Sequence, residues 1–88
     1  MKILIVEDDT ALNNGIALSL ITDTTIQAFS IAEAKSKLDT SIDLVILDIN
    51  LPDGSGIDLC REIRKTSNVP IIFLTANDME SDMLKGYE

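Results

Sequence analysis

The stretch LVILDINLPDG, residues 44–54, joins a four-residue apolar run to a carboxylate and a turn. The run favours a buried strand, because it is short, wholly apolar and partly β-branched. Asp48 follows the run directly, and the Asn, Pro, Asp and Gly residues after it are typical of turns. An ionisable group at the end of a buried strand either starts the turn or performs a chemical task.

Other segments resemble the apolar run and predict a sheet. Ile3–Val6 and Ile71–Leu74, like Leu44–Leu47, are four apolar residues bounded by polar ones, and all three favour strands covered on both faces. Thr25–Phe29 predicts a weaker strand.

Helical patterns separate the strands. Ser30 and Glu33 form a capping box at the start of the second helix. The predicted helices are Thr10–Ile21, Ser30–Leu38, Ser55–Lys65 and a fourth beginning after Asp78. Two apolar faces are expected to pack on the sheet: Leu12, Ile16 and Leu20 in the first helix, and Ile57, Leu59, Cys60 and Ile63 in the third. Strict alternation of strands and helices predicts an α/β fold with a parallel sheet and helices on both faces.

Composition limits the classes of function. The 88 residues predict one domain, and 15 acidic against 7 basic residues give a net charge of −8. This balance disfavours direct binding to nucleic acid or to anionic membranes, and favours a cation or a basic protein surface. The absence of His excludes His-based catalysis and a His phosphodonor in this sequence. The opening MKILIVEDD is too short an apolar run for a signal peptide, so we expect a cytoplasmic protein.

Polar side chains follow three of the four predicted strands. They are Glu7, Asp8 and Asp9 after the first strand, Asp48 after the third, and Thr75, which Ala76 follows, after the fourth. Parallel strands bring these positions to one edge of the sheet, where ligands bind. Neighbouring carboxylates repel one another unless a cation or a proton is shared. Oxygen ligands without His or thiolate favour Mg²⁺, and a carboxylate beside Mg²⁺ can accept a phosphoryl group.

Ordinary structural roles are the alternative for these residues. Asp9 or Thr10 can cap the first helix, Ser55 can cap the third, and Asp48 can belong to turn chemistry. The joint placement of the acids with Thr75 favours a functional site.

Three segments carry a resemblance to a known family. They are IVEDD at 5–9, LVILDINLPDGSGIDLC at 44–60 and VPIIFLTA at 69–76. In order and spacing the chain resembles the receiver domain of bacterial two-component response regulators, over its whole length. The LPDGSG segment is similar to the branch whose receivers precede a winged-helix DNA-binding domain. The resemblance implies a flavodoxin-like, doubly wound parallel sheet.

The resemblance also implies a role for each site residue. Asp48 is the expected phosphoacceptor, modified by a phosphohistidine of a sensor histidine kinase, and the domain is not an enzyme on external substrates. Mg²⁺ is the implied cofactor, bound by Asp8 directly, by Glu7 through water, by Asp48, and by the main-chain carbonyl of Asn50. Thr75 is expected to bind a phosphoryl oxygen and to move on activation, assisted by the Ala76 N–H.

The family has a fifth strand and fifth helix that these 88 residues do not include. Its fifth strand bears a Lys that pairs with the phosphoacceptor, and an aromatic switch residue. We therefore expect residues 1–88 to be a receiver domain truncated at its C-terminus. The fourth strand, residues 70–75, would then be an exposed edge, and we expect self-association through it and the fourth helix.

Two other functions remain open from the sequence. The first is an interaction or dimerisation module that keeps the fold without phosphorylation. The second is a phosphatase with an aspartyl nucleophile, which usually carries a second Asp two residues after the first. The residue at that position here is Asn50, which disfavours the phosphatase.

Overall fold

A computed structural model describes residues 1–74 of the chain. In order, the elements are β1 (Lys2–Val6), α1 (Thr10–Ser19), β2 (Thr24–Ala28), α2 (Ile31–Lys37), β3 (Leu44–Asp48), β4 (Asn50–Leu51), β5 (Gly54–Ser55), α3 (Gly56–Arg64) and β6 (Ile71–Leu74). The predicted elements are present with boundary shifts of one or two residues, and the short β4–β5 hairpin was not predicted. The predicted fourth helix lies outside the described residues.

Four strands form a parallel sheet in the order β2–β1–β3–β6. The α/β fold predicted from the alternation of elements is therefore confirmed. The strand ends are level, because Val6 pairs with Ala28 on one side and Leu47 on the other, and Leu47 pairs with Phe73. Residues that follow β1 and β3 therefore emerge at the same edge. Among the described strands, β6 pairs only with β3.

The main hydrophobic core lies between one face of the sheet and the helices α2 and α3. The sheet contributes alternate residues of β1 and β3, and the helices contribute small and branched residues. The principal members are Leu4, Val6, Val45 and Leu47 from the strands, Ala34 from α2, and Leu59 and Ile63 from α3. Within residues 1–74, no helix has the length and apolar character needed to cross a membrane.

Helix α1 differs from its predicted orientation. Its buried residue is Asn13, whereas Leu12 is 48% exposed and Ile16 and Leu20 are half-buried. The prediction of an inward Leu12 is therefore wrong. The inward position goes to Asn13 because its amide binds main-chain carbonyl groups at the ends of β1 and β2, as described below.

Helix α3 buries a narrower face than the sequence predicted. Leu59 and Ile63, one helical turn apart, are buried against the sheet, and Cys60 packs half-buried beside them. Ile57 is 42% exposed, so its predicted place in the core is wrong. The helix begins with Gly56 packed closely against the main chain of Asp48 and Ile49.

Coverage of the strands is also less complete than predicted. The side chains of β1 are buried after Lys2, but Ile72 of β6 is 52% exposed and Ile46 of β3 is half-buried. In the described part of the chain, α1 alone covers this face, and it packs on β1 and β2. Within residues 1–74, the predicted two-sided coverage is therefore incomplete at β3 and β6.

Side chains of the predicted types cap the helices. Asp9 accepts from the Leu12 N–H at 3.0 Å and caps α1. Ser30 accepts from the Glu33 N–H at 3.1 Å, but Glu33 reaches one residue further back than a standard capping box, to the N–H of Phe29. These caps confirm the predicted helix starts.

Among the glycines of residues 1–74, Gly56 leaves the least room for a side chain. A Cβ at this position would overlap the main-chain carbonyl oxygen of Asp48 and lie 3.0 Å from its carbonyl carbon. The Gly56 N–H also donates to the carbonyl of Ile49 at 2.6 Å, which closes the loop. The first turn of α3 is thus packed against the peptide that follows Asp48.

We expect Gly56→Ala to lower the free energy of unfolding by about 3 kcal/mol, because the backbone itself must move to admit the methyl group. Gly15→Ala is the matched control: the same methyl group meets nothing within 4 Å on exposed α1. It should stabilise the chain by about 0.5 to 1 kcal/mol through helix propensity. Urea unfolding followed by circular dichroism measures both. Equal effects of the two substitutions would contradict the tight contact at Gly56.

Candidate metal centre

Three carboxylates meet at the carboxyl edge of the sheet. Glu7 and Asp8 directly follow β1, Asp48 ends the adjacent β3, and the strand register places Val6 beside Leu47. One carboxylate oxygen from each acid lies within 4.8 Å of one from each of the others. Among residues 1–74, this is the group of acids that is close enough together to share a metal ion.

Glu7 is the most buried of these acids, with 4% of its surface exposed. Burial raises the pKa of Glu7 to about 7, and the negative charges of Asp48 and Asp8 also raise it. The Asp9 N–H opposes this effect, because it donates to Glu7 Oε2 at 2.9 Å and stabilises the charged form. Near neutral pH, the metal-free site therefore holds a proton on Glu7 for part of the time.

Asp48 is half-buried at the mouth of the site. Burial raises the pKa of Asp48, and the charge of Asp8 raises it further. The N–H of Ile49 donates to Asp48 Oδ1 at 2.9 Å, which favours the ionised form and fixes the direction of the carboxyl group. The group is thus oriented by the backbone while it remains in contact with solvent.

The donor set fits a hard divalent cation. The ligands available are carboxylate oxygens from Glu7, Asp8 and Asp48, with no thiolate among them. Burial, together with the charges of neighbouring acids, raises the pKa of Glu7 and of Asp48, so an excess of negative charge at this point is unfavourable. A cation would relieve that excess, and Mg²⁺ is suited to a partly solvated site with few carboxylates.

Asn13 supports the acidic site from behind, and the sequence analysis missed it. Its side chain is fully buried, and Nδ2 donates to the main-chain carbonyls of Glu7 at 2.9 Å and Ala28 at 3.1 Å. Gln27 Nε2 in turn donates to Asn13 Oδ1 at 2.9 Å. Asn13 therefore fixes the peptide between Glu7 and Asp8. The polar residue inside a helix was the available signal, but the apolar residues around it dominated the pattern.

The loop after Asp48 is the short hairpin β4–β5. Asn50 pairs with Ser55, and Leu51 pairs with Gly54 and enters the core. Gly54 has a φ of +150°, a conformation that favours glycine. The loop thus turns back on itself next to the acids, with Asn50 two residues beyond Asp48. Thr75 and Ala76, the remaining predicted site residues, lie outside the described residues, and their roles remain predictions.

This fold and site define a class of protein: an α/β domain that gathers acidic side chains at the carboxyl edge of a parallel sheet. Residues 3–88 match the family described as "Response regulator receiver domain". The chain belongs to this family, which confirms the resemblance seen in the sequence.

Curated relatives give the same result. The chain is 43% identical over 91 residues to the uncharacterized transcriptional regulatory protein YrkP of Bacillus subtilis, covering 97% of this chain and 38% of that protein. It is 41% identical to the regulatory protein VanR of Enterococcus faecium, covering 97% and 38%. The chain thus spans well under half the length of these relatives.

Solved structures agree in fold. The non-phosphorylated HemR receiver domain from Leptospira biflexa has a TM-score of 0.80 at 36% identity, with 98% of this chain and 73% of that chain covered. The BeF3-activated N-terminal receiver domain of Klebsiella pneumoniae RstA has a TM-score of 0.76 at 30% identity, with 97% and 78% covered. The predicted receiver fold is therefore confirmed.

We expect Asn13→Asp to destabilise the chain by about 3 kcal/mol at neutral pH, because it buries a carboxylate against two carbonyl oxygens. Asn14→Asp is the control. Asn14 is the adjacent, exposed residue, whose Oδ1 accepts from Gln27 at 2.7 Å and can be replaced by a carboxylate oxygen. Its cost should stay below about 0.5 kcal/mol. Urea titrations of both variants test this difference, and equal stabilities would show that Asn13 is not a buried structural donor.

The raised pKa of Glu7 predicts a pH dependence for the metal-free chain. The folded-state pKa of Glu7, about 7, exceeds its usual value of 4.5, so the protonated carboxyl group favours the folded state. That contribution to the free energy of unfolding is complete below pH 4.5 and is lost as the pH rises through 7. In EDTA, the urea concentration at the unfolding midpoint should decrease as the pH rises from 5 to 7.5, and Glu7→Gln should make that decrease smaller. Glu62→Gln should not reduce it, because Lys35 lowers the pKa of Glu62 and moves its titration to more acidic pH. An unchanged pH profile in Glu7→Gln would contradict the prediction.

Proposed function

We propose that this chain is a phospho-accepting receiver module, in which Asp48 takes a phosphoryl group from the phosphohistidine of a sensor histidine kinase. The observation that carries this proposal is the convergence of Glu7, Asp8 and a half-buried, oriented Asp48 within a few ångströms. The match to the receiver family supports it.

The proposed transfer is a displacement at phosphorus. An oxygen of the Asp48 carboxylate forms the new P–O bond, the P–N bond to the kinase imidazole breaks, and the imidazole nitrogen leaves with the bonding electron pair. Mg²⁺, when bound, would neutralise charge on the phosphoryl oxygens. The Ile49 N–H holds the direction of the attacking carboxyl group, and the half-buried position of Asp48 leaves it open to the donor.

The ligand assignment is also proposed. Asp8 would bind the metal directly, Glu7 through water, and Asp48 and the main-chain carbonyl of Asn50 would complete the protein ligands. The excess of negative charge at Glu7 and Asp48 supports a cation in this position. Thr75 and the Ala76 N–H are proposed to bind the phosphoryl group after transfer.

The consequences for partners follow from the family. We propose that phosphorylation changes the binding of a partner or output domain in the cytoplasm and that the chain does not act on external substrates. Because relatives are named transcriptional regulatory proteins, we propose that the longer protein regulates transcription. Nucleic-acid binding would belong to its other domain, given the net charge of −8 here. Self-association through β6 and the segment after it stays a prediction.

Intact mass after incubation with acetyl phosphate tests this function. With Mg²⁺ the chain should gain one phosphoryl group, and EDTA should prevent the gain. Asp48→Ala should abolish it because the attacking oxygen is removed. Asp58→Ala should keep it, because Asp58 is an exposed acid on α3 that pairs with Arg61. No gain in the unmodified chain would favour the non-phosphorylated interaction module instead.

A further inference from the structure

Asp53 forms a contact that the proposed phosphoryl transfer does not use. It stands at the turn between β4 and β5, and its two carboxylate oxygens accept from the N–H groups of Ile31 at 2.8 Å and Ala32 at 3.0 Å. These amides are the first two of α2 and lie more than twenty positions earlier in the chain. The two hydrogen bonds lower the pKa of Asp53, so the carboxylate is charged at neutral pH. The loop after Asp48 is thereby attached to α2.

Both elements joined by this contact are too short to stand alone. Helix α2 has seven residues, fewer than an isolated helix needs for stability, and its own Ser30 side chain satisfies only the Glu33 N–H. The β4–β5 hairpin has two residues in each strand, and such hairpins are unstable without outside support. Each element therefore depends on the other through Asp53. The side chain of Ile31 also closes over Gly54, where an added Cβ would lie 2.9 Å from Ile31 Cδ1.

The same hairpin carries Asn50 next to the acidic site. One end of the loop is fixed by the Gly56 N–H, which binds the carbonyl of Ile49, and the middle is fixed by the burial of Leu51. Asp53 fixes the outer turn. Without it, the hairpin would keep the first two restraints but lose the third, so the segment that carries Asn50 would be held less firmly beside Asp48.

We propose that Asp53 is a positioning residue for the metal site, holding the hairpin against α2 so that the Asn50 carbonyl faces the acidic cluster. This inference rests on the proposed Mg²⁺ site. It adds a consequence: binding of the cation and the order of the first turn of α2 are coupled. Because such coupling is reciprocal, the cation should also stabilise the N–H groups of Ile31 and Ala32.

Calorimetric titration with Mg²⁺ tests the positioning role. Asp53→Ala removes both acceptors and should raise the dissociation constant about tenfold, the lower end of effects seen for residues that support metal ligands. Asp53→Asn keeps one acceptor oxygen and should fall between Asp53→Ala and the unmodified chain. Asp58→Asn removes the same charge from exposed α3, and it should change the constant by less than about twofold.

Hydrogen exchange of the backbone amides gives a readout that does not depend on phosphorylation. In the unmodified chain, Mg²⁺ should slow exchange at Ile31 and Ala32, and in Asp53→Ala this slowing should disappear. If the unmodified chain binds no Mg²⁺, the proposed function fails. If it binds Mg²⁺ and Asp53→Ala binds equally well, the inference fails while the proposed function stands. If Asp53→Ala does not fold, as judged by circular dichroism, Asp53→Asn decides the question by the same two measurements.

Discussion

The parallel pairing of β1 with β3 is the constraint on which the site depends. Val6 lies opposite Leu47, so the residues that follow them, Glu7 and Asp48, must emerge side by side. A slip of one residue would turn Leu4 and Val6 away from the core that they share with β3. The hydrophobic pattern therefore fixes the register, and the register fixes the carboxylates. The free energy of the core brings together acids that would otherwise repel one another.

Backbone N–H groups, more than charged side chains, stabilise these neighbouring carboxylates. The N–H of Asp9 binds Glu7, the N–H of Ile49 binds Asp48, and no Lys or Arg forms an ion pair with either acid among residues 1–74. Backbone donors orient the carboxyl groups, but burial and the neighbouring acidic charges still raise the pKa of both acids. Local arrangements that lower the stability of a fold are expected where residues serve a function. Here three acidic side chains lie close together, and a cation would offset their charge.

The sequence predicted the parts of the structure that depend on short, continuous patterns. Three apolar runs and the weaker pattern at Thr25–Phe29 predicted the four strands, and the acids that follow two of the runs predicted Glu7, Asp8 and Asp48 as site residues. The orientation of α1 was not predictable in this way, because the spacing of Leu12, Ile16 and Leu20 matches a helix face whether or not that face is covered. What turns the helix is the pairing of Asn13 with carbonyls on two different strands. The Asp53 contact was hidden for the same reason, since its partners are separated from it by more than twenty residues.

Helix α2 depends on the loop as well as on its own side chains, of which Ile31 packs partly buried against the core. Its ion pair between Lys35 and Glu62 of α3 is about half exposed on both sides, and such pairs contribute little to stability. Its buried anchor is Ala34, a small side chain with little apolar area to bury. The cap from Asp53 therefore adds to the cap from Ser30 in ordering the first turn. Regions with few buried contacts open at lower free energy than the core, so motion of the loop should reach α2 before it disturbs the sheet. Under the proposed function, phosphorylation of Asp48 would therefore affect α2 through the hairpin, while the pairing of β1 with β3 keeps the acids in register.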